Sequence, residues 1–163
     1  MERPKLQIKT PIVAKIFNWI ALLSFISSIV YLITQWSSLP NKVPTHYNGL
    51  GEPDHWGSKG FIFVPLIIGI VLWSGLTILE KYPHTHNYIG LTDENVERKY
   101  KNSILMLNFI KNEMLVFFAY SAWNDVFVSK QKESLLGVWE FPGFLIILFG
   151  TLLFFIIRTV RIK

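Results

Sequence analysis

Four side chains able to ligate a metal or move a proton lie within ten residues of one another: His46, Glu52, Asp54 and His55. Imidazole and carboxylate suit zinc. Their spacing matches no zinc signature, and the chain has no H-E-x-x-H helix. The favoured reading is therefore a loop held by its own bonds, with no metal and no cofactor expected. In it, Asn48 and Asp54 accept from nearby backbone N–H groups in turns. His46 bonds backbone, and Trp56 rests at a membrane interface. A metal site made by His46, Asp54 and His55 stays open as the alternative. His84 and His86 form no known ligand spacing either.

The second group is Lys111 with Glu113. Well inside a bilayer, such charges cost several kcal/mol and signal an ion path or relay. If the membrane begins near Ile110, Lys111 instead snorkels to the headgroups, and that is the expectation. Two residues apart, they do not share a helix face, so a direct pair is not expected. Asn108 and Asn112 are expected to bond across to neighbouring helices. There is no G-x-S-x-G. Ser74-Gly75, like Ser24, Ser27 and Ser28, reads as a small-residue packing surface, so no catalytic residue is assigned and an enzyme is not favoured.

The elements that must position these groups are membrane helices. Of 163 residues, 51% are hydrophobic and 17% charged, against about 25% charged in soluble domains. Mean hydropathy is +0.36. Apolar runs predict an all-α integral membrane protein, one domain over 1–163, with spans near 14–36, 60–79, 107–128 and 141–158. A signal peptide would have a shorter apolar core than the first run. Pro65 and Pro142 sit near the start of spans two and four, where a missing N–H costs least. Thr92 is the expected N-cap of a long helix whose amphipathic first part (Val96, Tyr100, Ile104, Leu107) extends into the cytoplasm before entering the membrane.

Lys and Arg distribution gives an orientation. The N-terminal segment, the 80–103 link and the tail together hold eleven, and the 37–59 and 129–140 segments hold four. The positive-inside rule then places both termini in the cytoplasm and 37–59 outside. Without cysteine there is neither a disulfide framework nor a thiolate site. No nucleic-acid motif occurs, so the expected partner is the lipid bilayer. Nothing in the sequence sets an oligomeric state.

Residues 39–59 hold three of the eight prolines, three of the ten glycines and two of the four histidines. That composition forbids a helix and predicts a compact, preorganised loop. Its pattern, Pro44-x-His46-Tyr47-Asn48-x-x-Gly51-x-Pro53-Asp54-x-Trp56-x-Ser58-Lys59, resembles a bacterial membrane domain of unknown function. The same domain forms the N-terminal part of SdpI-type toxin-immunity proteins. His86-Asn87-Tyr88, with Thr92, Glu94, Asn95 and Arg98 after it, resembles the segment beyond the second span in that family. The C-terminal half of the larger immunity proteins has no counterpart in this chain. The resemblance implies a multi-pass protein of the bacterial cytoplasmic membrane. Two function classes stay open. One is a binding or protective protein whose outward loop meets a peptide, toxin or envelope component and whose cytoplasmic face meets a regulator. The other is a membrane enzyme or transporter using His46, Asp54 and His55, or Lys111 and Glu113.

Overall fold

The computed structural model describes residues 3–130 and 132–163. Four helices carry the fold: α1 (Ile12–Gln35), α2 (Val64–Glu80), α3 (Val96–Ser129) and α4 (Glu140–Arg161). Alone or with their flanking 3₁₀ turns, all four are long and apolar enough to cross a membrane. They make the chain a multi-pass membrane protein.

α3 is the axis of the bundle, and α1, α2 and α4 each pack against it. It is also the least apolar of the four and the most enclosed. The two properties are linked. A helix surrounded by other helices can carry polar side chains because its neighbours, rather than lipid, satisfy them. Thus Asn108 and Asn112 both donate to Asn18 Oδ1 of α1 at 2.9 Å, and Trp73 Nε1 of α2 donates to Asn112 Oδ1 at 2.9 Å. Asn102 Nδ2 donates to the Phe155 carbonyl of α4 at 3.0 Å. Ser28 Oγ on α1 donates to the Ala119 carbonyl at 2.8 Å. Close helix contact occurs at Gly69, where a Cβ would stand 2.9 Å from Phe118 Cβ. At Gly75, the small residue picked out in the sequence, a Cβ would meet nothing within 4 Å. Both residues are exposed, so among the described residues Ser74-Gly75 is not a packing surface.

α3 is continuous, with no break between Lys101 and Met114. Its start differs from expectation. Thr92 does not cap it through its side chain; the helix begins at Val96 after a turn. Asn95 Oδ1 accepts from the Thr92 N–H at 2.9 Å, and its Nδ2 donates to the Gly90 carbonyl at 3.0 Å. Asn95, by bonding backward, holds the turn that Thr92 was expected to close. Val96, Tyr100 and Ile104 are buried, as an amphipathic first part requires.

The all-α class needs one correction. Residues 42–58 are not an irregular loop but an antiparallel β-hairpin, β1 (Lys42–Tyr47) and β2 (Pro53–Ser58). Its base is closed by Lys59 N–H donating to the Asn41 carbonyl at 3.0 Å. Val43 and Pro44 are buried, and Val43 joins Leu39, Ile62, Leu66 and Val126 in the hydrophobic core. The hairpin and the α3–α4 link lie at one end of the bundle. The N-terminal segment, the α2–α3 link and the C-terminal tail gather at the other, where Arg3 donates to the His86 carbonyl at 2.6 Å and Arg98 to the Lys163 carbonyl at 2.5 Å.

Candidate functional site

The hairpin turn is closed by backbone bonds, Asn48 N–H to the Glu52 carbonyl at 2.8 Å and Gly51 N–H to the Asn48 carbonyl at 3.0 Å, and by one side chain. Asn48 Oδ1 accepts from the N–H of Leu50 at 2.9 Å and of Glu52 at 3.1 Å. This is the backbone-mimicking bond that Asn forms in turns. Asn48 Nδ2 donates to Glu52 Oε2 at 3.2 Å, which keeps Glu52 with the turn. Gly51 has φ +76°, and a Cβ there would stand 2.6 Å from the Gly137 carbonyl oxygen. Glycine is required twice over, by the left-handed backbone and by the approach of the α3–α4 link.

One anchor ties the hairpin to the helices. Tyr47 Oη donates to Asp125 Oδ1 at 2.6 Å. Burial first, and then the charge of Asp125, push the phenol's pKa well above its usual range, so Tyr47 stays a donor. Asp125 and Asn124 are both buried. Asn124 accepts from the Leu135 N–H at 3.0 Å and donates to Glu140 Oε2 at 2.9 Å, which ties the α3–α4 link to both helices. Hydropathy marks these two residues only as the close of a span. They instead connect three elements.

Between hairpin and helices lies a cleft of about 570 Å³. His46, Tyr47 and Asn48 form its hairpin side; Phe117, Glu140 and Phe141 form its helix side. A concave site with apolar walls and a few polar groups is the ordinary form of a binding pocket.

His46 departs from expectation. Its Nδ1 lies 2.5 Å from Asp54 Oδ1, rather than against backbone. His55 Nδ1 approaches the same oxygen at 3.2 Å. Asp54 accordingly bonds imidazole, not turn N–H groups. Its carboxyl pKa is held below the usual range, chiefly by the His46 bond. Glu52 is not in this cluster. Among the described residues, His46, Asp54 and His55 form the one group of three or more such ligands, and all three are exposed. Trp56 is 46% exposed, and at the hairpin base Lys59 Nζ lies 4.3 Å from the centre of the Trp36 ring, which packs on Phe63.

Lys111 is also corrected. It does not snorkel. Its side chain is 0% exposed, and Nζ reaches both Glu80 oxygens, at 2.9 and 3.0 Å, and Thr77 Oγ1 at 2.9 Å. The Trp73 ring lies 4.8 Å from the ammonium. Glu113 points elsewhere and accepts from Thr151 of α4 at 2.6 Å. The two charges therefore do not form a shared relay. A second cleft, about 540 Å³, opens onto Lys111, Glu80 and Asn18 from the N-terminal segment. In the sequence Glu80 only ends the second apolar run; its partner lies 31 positions away, beyond any local pattern.

In the α2–α3 link, His86 Nε2 lies 3.0 Å from the Leu79 carbonyl and Nδ1 3.0 Å from Ser103 Oγ. Tyr88 Oη is 2.6 Å from the same Ser103 oxygen. A carbonyl can only accept, so Nε2 carries the proton, while the single Ser103 hydroxyl proton has the Tyr100 carbonyl at 3.0 Å as well as His86 Nδ1 and Tyr88 Oη as acceptors. A serine beside an imidazole is the pair that nucleophilic catalysis uses. However, Ser103 is buried and lines neither cleft. The cluster locks the link instead. Burial depresses the His86 pKa and raises that of Tyr88 to about 12. Asn87 and Arg98 are exposed.

Residues 23–76, covering most of α1, the hairpin and most of α2, match a family described as "Domain of unknown function (DUF1648)". The chain is similar to a membrane domain of unknown function over that region. It is also 27% identical over 113 residues to an uncharacterized protein of the archaeon Archaeoglobus fulgidus, an overlap of 58% of this chain and 62% of that protein. The chain thus matches less than two thirds of the length of that relative. No solved structure matches it.

Proposed function

We propose that the protein is a membrane binding protein of the protective, toxin-immunity kind, acting through its hairpin on the extracytoplasmic side of a bacterial cytoplasmic membrane. The observation that carries this reading is the cleft between the tethered hairpin and the ends of α3 and α4. Its apolar walls and the Glu140 carboxylate suit an amphipathic peptide that brings an apolar side chain and a cationic or hydrogen-bonding group. The hairpin is held by Tyr47–Asp125 and by the turn at Asn48, so little ordering cost remains at binding. The eleven-to-four Lys and Arg distribution supports both termini in the cytoplasm. A cytoplasmic regulator would then meet exposed Asn87 and Arg98, since His86 and Tyr88 are engaged in the link.

The test is genetic. Cells lacking the gene are challenged with secreted peptides of the same strain and its neighbours. Sensitivity is expected on deletion, with rescue by the wild-type chain. Gly49→Trp, which places a ring at the cleft, where a Cβ on Gly49 would meet nothing within 4 Å, is expected to reach the membrane and fail to rescue. Unchanged sensitivity across the panel would overturn the reading.

A further inference from the structure

We propose that His46, Asp54 and His55 form a divalent transition-metal site on the hairpin, with zinc-class ions bound by two imidazole Nδ1 atoms and one carboxylate oxygen. Register makes the site possible. In a regular strand, neighbouring residues such as Asp54 and His55 point to opposite faces. Here the pairing slips on either side of His46, which stands opposite His55. Such irregularities re-aim side chains. Asp54 is thereby brought to the same place as both imidazoles.

The three ligand atoms all lie within 4.8 Å of one another. A tetrahedral zinc with bonds of about 2.0–2.1 Å holds its ligand atoms about 3.3 Å apart. The His55–Asp54 separation, 3.2 Å, already has that value. The His46–Asp54 separation, 2.5 Å, has to widen. Both imidazoles are well exposed, at 64% and 75%, and turn without displacing a packed neighbour. Their rings stand nearly perpendicular, at 84°, with centroids 5.7 Å apart, so they approach one ion from different sides instead of stacking.

The donor set decides the class of ion. Two imidazoles with one carboxylate suit zinc, copper(II) and nickel(II); magnesium and calcium prefer all-oxygen shells. Three protein ligands leave a fourth position open, as in zinc sites that bind an exogenous group. His46 also borders the cleft, so that position lies beside it. Metal binding stands on the hairpin geometry and does not rest on the toxin reading. It is measured without any peptide, so the two fail separately.

Tag-free, full-length protein in detergent is equilibrated with Zn²⁺, with Co²⁺ as a spectroscopic substitute. One equivalent of Zn²⁺ per chain is expected, with Co²⁺ giving the visible absorption of a low-symmetry four-coordinate ion. His46→Gln, His55→Gln and Asp54→Asn should each weaken binding at least tenfold, while His84→Gln leaves it unchanged. Unchanged thermal unfolding of the metal-free variants shows that lost binding is not lost folding. Retention of Zn²⁺ by two of the three variants, stoichiometric Mg²⁺ uptake in competition, or no Zn²⁺ above the His46→Gln/His55→Gln level would overturn the site.

Discussion

Replacing Lys111 by methionine tests the buried ion pair directly. Methionine has nearly the same length and no charge, so packing changes little and Glu80 loses its cation. At 2.9 Å and an effective dielectric of about 20, the attraction is about 6 kcal/mol. Desolvation of both groups offsets much of it. The relevant quantity is the cost of leaving Glu80, whose side chain is 10% exposed, without its partner. Breaking buried pairs from one side costs about 3–5 kcal/mol. For a chain of this size that corresponds to a loss of roughly 10 °C in Tm. Lys111→Met/Glu80→Leu removes both charges, and replacing a whole pair by apolar groups is often neutral. The double variant is expected within about 1 kcal/mol of wild type and above either single variant. The assay is reversible unfolding in detergent micelles, monitored by tryptophan fluorescence. A Lys111→Met cost below about 0.5 kcal/mol, which is the surface value, would mean the ammonium is hydrated. A double variant showing the sum of the two losses would mean the groups are not coupled. Either result would refute the buried pair.

Three further outcomes are expected. Gly51→Ala should cost about 2–5 kcal/mol, combining left-handed strain with a backbone clash against Gly137; Gly49→Ala should be near neutral, with hydrogen exchange at the hairpin amides separating them. His86, whose pKa is depressed by burial, binds protons more readily unfolded than folded. Its contribution is therefore present above the unfolded value near 6.5 and is lost as pH falls toward the folded one, so the Tm of wild type minus that of His86→Gln should decline over that window. Cysteine at Asn41 should react with an impermeant maleimide in intact cells and cysteine at Asn87 should not, in a chain that has no other thiol; the opposite labelling would reverse the orientation.

Long apolar runs made the helices legible, because bilayer crossing needs little beyond length and hydropathy. Asn48-Gly49 is the dipeptide of a two-residue hairpin turn, but the turn formed is longer, with the Asn48 N–H donating to the Glu52 carbonyl at 2.8 Å and Gly51 left-handed; Pro44 within the first strand also argues against a strand. The structure accommodates Pro44 because a two-stranded sheet has only edges. The motif residues were visible as a set, while their division of labour was not. His46, Asp54 and His55 meet only because the register slips, and slippage comes from the three-dimensional path of both strands.

Sequence by itself thus determined four apolar helices, a Pro/Gly-defined segment between the first two and the candidate ligands within it. Those properties are local, set by one residue's hydropathy or backbone freedom. Tertiary structure decided the partners: Tyr47 with Asp125, Lys111 with Glu80, Asn18 with Asn108 and Asn112. Inside a bundle a polar group must bond whatever the neighbouring helix presents at its own depth. Depth and facing direction come from how α1, α2 and α4 surround α3, and no spacing along the chain encodes them.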